Sequence, residues 1–170
     1  MDLLAVKNSS GVKNKVLVQK LKPVDLDAAV DLFEQYYAEA VEVLPDMRDE
    51  YDEGSMIETI RTYASHYQHC WYLGFVDSTR PIALCAGSLT PTPWNENILN
   101  ANIDMIYIVP EHRSMDNFKT LVDYFNAWAA QFGARKITAG DIGINPDRTE
   151  KVYKHLGFEP ACFLTRAVEI

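Results

Sequence analysis

The chain has 170 residues, of which 48% are hydrophobic and 24% charged, proportions that suit one globular domain with a sizeable core. Its 24 acidic and 16 basic residues leave a formal charge of −8, which argues against nucleic acid or an anionic membrane as a partner, since both attract clustered Lys and Arg. Cys70, Cys85 and Cys162 are scattered and odd in number, no apolar run could span a bilayer, and the expected setting is a reducing cytoplasm.

Residues 1–14 are polar and read as a flexible arm before a single domain spanning 15–170. Val16-Leu17-Val18 begins a strand that ends before Pro23. Leu26, Ala29, Val30, Phe33, Tyr37 and Val41 then recur at helical spacing. The acidic connector PDMRDEYDEG leads to a second helix with Ile57, Ile60, Ala64 and Tyr67 on one face and Gly54 and Ser55 at its start. The runs CWYLGFVD, PIALCAGSL and ANIDMIYIV read as three antiparallel strands, with turns at Asp77 to Thr79 and Pro91 to Glu96.

Phe118, Leu121, Val122, Phe125, Trp128, Ala129 and Phe132 mark a third helix, closed by Gly133 as a left-handed cap. Lys136 to Ala139 is a short strand. A fourth helix follows Asn145-Pro146, carries Thr149, Val152, Tyr153 and Leu156 on one face, and ends at Gly157. FEPACFLTRAVEI reads as a last strand. The order β-α-α-β-β-β-α-β-α-β predicts an α/β (α+β) domain: a mixed sheet of about six strands flanked by about four helices. Residues Asn102 to Ala139 form its parallel crossover.

The stretch VPEHRSMDNF, Val109 to Phe118, joins a strand end to a helix start. Such a junction favours anions through unpaired amides and the helix dipole. It carries Arg113 and a capping Ser114 but no glycine. His66-x-x-His69-Cys70 offers two or three metal ligands where a closed zinc site needs four, so no metal site is expected. No dinucleotide fingerprint, P-loop or nucleophile elbow occurs.

The element order resembles the GNAT superfamily of N-acetyltransferases, and three segments carry the likeness: IDMIYIVPEHR, LVDYFNAWAAQFGARKI and NPDRTEKVYKHLGFEP. The last contains Tyr153-x-x-x-Gly157-Phe158, close to a family motif. The resemblance implies acetyl-CoA as co-substrate, with Ile108 and Val109 holding the pantetheine by their backbone and Asn145 near the cofactor arm. Residues Arg113, Ser114, Met115, Asp116, Asn117 and Phe118 would hold the pyrophosphate. In the family's Arg/Gln-x-x-Gly-x-Gly/Ala pattern, Arg113 matches the first position, while Asp116 and Phe118 replace the glycines. That substitution adds a charge and bulk where close phosphate approach is required.

By the same resemblance Tyr153 is the general acid for the leaving thiolate, a role suited to a phenol. Asp104 stands where relatives carry a base. Strict alternation would place Asp104, Ile106 and Ile108 on one face of the strand. The implied reaction is direct transfer of an acetyl group to a primary amine of a small molecule or protein. The alternative is an inactive chain of the same fold serving as a binding or inhibitory module, and a homodimer is compatible with either. Asp46, Asp49, Glu50, Asp52 and Glu53 would border the acceptor site and favour a cationic amine.

Overall fold

The strands are built from β-branched, aromatic and alternating apolar residues, and their partners follow from that alternation. The computed structural model describes residues 16–76, 79–140 and 146–161. The N-terminal arm, the turn residues Asp77 and Ser78, Asn145, and most of the expected last strand with Cys162 lie outside them.

The elements are β1 (Leu17–Lys20), α1 (Leu26–Val43), α2 (Glu53–Ser65), β2 (His69–Phe75), β3 (Pro81–Thr92), β4 (Asn95–Ile108), α3 (Met115–Gln131), β5 (Lys136–Ala139) and α4 (Pro146–His155). The described strands form one sheet in the order β1-β2-β3-β4-β5. The first four are antiparallel neighbours, and β5 returns through α3 to lie parallel to β4. The described residues thus hold five strands, and Phe158 to Ala161, where the sixth was expected to begin, are irregular.

Two apolar layers enclose the sheet. One face packs on α1 and α2 through Ala29, Val30, Leu32, Ile60, Trp71, Leu73, Phe75, Leu84 and Tyr107. The other packs on α3 and α4 through Cys70, Cys85, Ala101, Ile103, Ile108, Leu121, Phe125 and Tyr153. Helix α1 stops where Leu44, forced out of the helical region by the following Pro45, adopts φ −123°, ψ 76°.

Local details differ from the sequence expectation for physical reasons. Helix α2 is capped by Asp52, whose carboxylate accepts the Ser55 N–H at 2.7 Å, so Gly54 and Ser55 lie inside its first turn. Tyr67 lies beyond that helix and is exposed. The β3–β4 hairpin is longer than expected: pairing continues to Thr92 and Asn95, and only Pro93 and Trp94 make the turn. Pro91 is tolerated within β3 because the pairing with β2 has already ended at Ser88.

The decisive irregularity is a bulge in β4. Ala86 pairs with Met105 but the next residue, Gly87, pairs with Ile103, leaving Asp104 as the extra residue. Before it Ala101 and Ile103 face α3; after it Ile106 and Ile108 do, while Met105 and Tyr107 face α1. Asp104 therefore does not share a face with Ile106 and Ile108 by simple alternation. The inserted residue resets the pleat.

Gly87 opposite the bulge has no room for a side chain. A Cβ there would stand 2.2 Å from Phe125 Cε2 and 2.5 Å from the Asn102 carbonyl oxygen. Backbone cannot yield as a flexible side chain would, so Gly87→Ala should destabilise the fold by about 3 kcal/mol, the upper range for overpacking. Urea denaturation checks this; a midpoint equal to wild type would mean the bulge relaxes freely.

Candidate active site

The cleft arises because β4 outruns β5. Pairing stops at Ile103↔Ala139, yet β4 continues to Ile108. In an antiparallel ladder a residue's N–H and C=O point to the same neighbour, and the direction alternates along the strand. Val109 gives its N–H to the Ile82 carbonyl across β3 at 3.0 Å, so Tyr107 and Met105 also turn toward β3. Ile106 and Ile108 consequently turn their main-chain groups the other way, along the edge that β5 no longer covers. The cleft beside that edge holds about 560 Å³, between β4, the start of α3 and the inner face of α4.

One end of the cleft is the helix start identified from the sequence. Ser114 caps α3, its hydroxyl accepting the Asn117 N–H at 3.2 Å, and Phe118 begins the helical ladder by donating to the Ser114 carbonyl. Ser114, Met115 and Phe118 line the cleft. Asp116 is exposed and is not among the lining residues, so its charge is solvated rather than aimed inward. Asn117 is buried and serves the scaffold: its Nδ2 donates to the His112 carbonyl at 2.8 Å, and its Oδ1 accepts the Val16 N–H at 3.3 Å.

Arg113 lies at the cleft edge with its guanidinium engaged. Its Nε donates to the Ile108 carbonyl, and its Nη2 lies 2.7 Å from both carboxylate oxygens of Glu39 on α1. The group also sits over Tyr107, 5.5 Å from the ring centre. Tyr107 O–H donates to Glu39 at 2.9 Å, and burial followed by this hydrogen bond pushes its phenol up to about 12. Together they join α1 to the end of β4 and the loop before α3.

Tyr153 comes to the cleft from α4. The motif Tyr153-x-x-x-Gly157-Phe158 is a helix C-cap: Gly157, at φ 86°, donates to the Lys154 carbonyl, and Phe158 donates to the Tyr153 carbonyl. The same geometry brings the Phe158 ring edge-on to Tyr153 at 5.1 Å, while Phe118 meets it from α3 at 5.4 Å. Tyr153 thus both packs, at 9% exposure, and lines the cleft.

Asp104 lies on the same cleft. Its Oδ1 accepts the Ser88 hydroxyl at 3.2 Å. Although the residue is exposed as a whole, desolvation raises its carboxyl above the ordinary range, with Ser88 and His69 pulling the other way. Among the described residues the thiols offer no rival nucleophile: Cys70 and Cys85 are buried, and desolvation raises both, Cys85 to about 12. Among the described residues no group of His, Cys, Asp and Glu could hold a metal ion, and no helix is long and apolar enough to cross a membrane.

No family model and no curated protein matches this sequence. Solved structures do. The aminoglycoside N-acetyltransferase AAC(6')-Iy, bound to a bisubstrate analogue joining CoA to monomethyl-acetylneamine, matches with a TM-score of 0.72 at 13% identity, over 91% of this chain and 98% of its own. A ribosomal-protein-alanine N-acetyltransferase from Brucella melitensis biovar Abortus gives 0.66 at 15% identity, over 91% and 99%. A protein described as a predicted acetyltransferase from Clostridium acetobutylicum, solved with acetyl-CoA, gives 0.70 at 16%, over 90% and 96%.

The fold is that of the GNAT acetyltransferases. Within the GNAT fold the sequence motifs fall as follows. Arg113, Ser114, Met115, Phe118, Ile108, Asp104 and Tyr153 gather on one cleft, whereas Asn117 and Asp116 turn away from it and Val109 directs its amide into the sheet. Sequence reasoning missed Ile106, Glu39, Tyr36 and Arg148, which also line the cleft. Ile106 could have been found by counting outward from the strand end, but no local signal links Glu39 to Arg113 across 74 positions.

Proposed function

We propose that the chain is an acetyl-CoA-dependent N-acetyltransferase that moves an acetyl group directly to a primary amine. The observation that carries this reading is the splayed edge of β4, lying between an α3 N-terminus and a tyrosine braced in the same cleft. A bound pantetheine would continue the sheet as a short false strand along Ile106 and Ile108, and the pyrophosphate would meet the first amides of α3 near Ser114 and Met115. The residues fit such a co-substrate: the cleft holds about 560 Å³, its edge is polar main chain, and Asp116 turns its charge to solvent. Acetyl-CoA, when bound, supplies an acyl group activated as a thioester.

The remaining chemistry belongs to the chain. Asp104 takes the proton that the amine loses as its N–C bond forms, and Tyr153 gives a proton to the sulfur as the C–S bond breaks. Main-chain N–H groups on the free edge polarise the acyl oxygen. The acceptor amine enters from the side of the acidic connector, whose residues 46–53 favour a cation. Calorimetry with CoA, desulfo-CoA and adenosine tests this reading, with binding expected for both CoA species. No binding of either at millimolar concentration would falsify it.

A further inference from the structure

The rings of His66 and His69 meet at the start of β2, and His69 lies close enough to Asp104, a residue of the cleft, to interact with its charge. His69 opens β2 and stands directly opposite Ser88 of β3, and Ser88 is hydrogen-bonded to Asp104 of β4. Side chains directly opposite in antiparallel strands have Cβ atoms about 5 Å apart, within reach of one hydroxyl. His69 is fixed rather than free to rotate: Tyr63 of α2 stacks flat on it, with ring centres 4.1 Å apart and planes 2° from parallel, and His66 meets it edge-on at 5.8 Å.

We propose that Asp104, Ser88 and His69 form a proton path leading from the acceptor amine to solvent. The proposal rests on the acetyl-transfer reading and adds the route by which the base is regenerated. Asp104 accepts the proton from the amine. The protonated carboxyl passes it to the Ser88 oxygen while the hydroxyl's own proton moves to a His69 ring nitrogen, restoring the carboxylate and leaving an imidazolium. His69 is half-buried and can release that proton outward. Ser88 is the bridge, and His69 is a positioning and relay residue that acts through it.

Electrostatics agree with the geometry. Desolvation, followed by the neighbouring His66, holds His69 below its ordinary value, so it is neutral and able to accept a proton at pH 7; Asp104 pulls the opposite way. His69 in turn lowers Asp104. The groups facing the ring are Tyr63 and His66 from α2 and its end, Ser88 from β3 and Asp104 from β4.

Two measurements test the path, one of them independent of turnover. In a proton NMR titration of the histidine rings, Asp104→Asn should lower the His69 pKa, because it removes the charge that raises it. An unmoved His69 would overturn the inference whatever the enzyme does. In a thiol-release assay with acetyl-CoA and spermidine or neamine, His69→Gln and Ser88→Ala should each cut kcat about tenfold, less than loss of the base itself. KM for acetyl-CoA should not change, the acid limb of kcat should move to higher pH, and Ser88→Thr should restore the rate. Superimposable pH profiles would also overturn the path. A wild-type chain that binds CoA and shows intact His69–Asp104 coupling, yet acetylates neither amine, would sink the acceptor chemistry on which the path depends.

Discussion

Tyr153→Phe should lower kcat by about two orders of magnitude, the range for losing a positioned general acid, while leaving affinity for desulfo-CoA unchanged. The change removes only the hydroxyl. The ring would stay between Phe118 and Phe158, and the backbone would keep its cap, because the Phe158 N–H still finds the residue-153 carbonyl. Stability should therefore shift by no more than about 1 kcal/mol, the usual worth of one hydrogen bond. Single-turnover rates with pre-bound acetyl-CoA separate chemistry from product release. A variant as fast as wild type would remove Tyr153 from the acid role and leave it a packing residue.

Phe118→Gly should cost the fold about 3 kcal/mol, roughly 2 from a half-buried ring and roughly 1 from glycine within a helix. It should also slow turnover about tenfold, because Tyr153 would lose one of its two walls and its hydroxyl would be held less closely. Phe118→Leu, which keeps apolar bulk, should recover most of both. The combination separates two views of this residue. Weakened or unchanged CoA affinity beside slower turnover identifies the ring as part of the site. Tighter CoA binding would identify it as an obstruction standing where the family motif has a small residue.

The contrast between these residues shows where the sequence was readable. Helix α3 could be bounded at both ends, since Ser114 and Gly133 are chemically suited to their positions and Gly133 sits at φ 70°. The parallel return of β5 followed from the helix between two strands. The fourth helix and its closing Gly157 were equally local. By contrast, the face assignment of Asp104 assumed an unbroken pleat, and a bulge is a pairing event between β3 and β4 that neither strand encodes alone. The only trace was Gly87, whose missing side chain makes sense only once Phe125 and Asn102 are seen against it.

Asn117 misled for a related reason. A polar side chain at a helix start reads as a ligand group, but its partners are Val16 and His112, one of them 101 positions away in the chain. Glu39 was invisible for the same cause, since its meaning comes from Arg113 and Tyr107. Local chemistry was legible; long-range pairing of charge and hydrogen bonds was not.

The bulge in β4 has an evolutionary consequence. A residue inserted between two pleated segments belongs to neither apolar layer, so its identity is uncoupled from core packing. Asp104 could be exchanged for another acid, an amide or a small residue at little cost in stability, and even its deletion would leave Ile103 followed by Met105 in regular alternation, with Tyr107 and Ile108 still facing their own layers. Neither the chemistry nor the presence of a residue at position 104 is therefore held in place by the core. A lineage with this fold is free to alter or drop the inserted residue while every other side chain of the sheet keeps its layer.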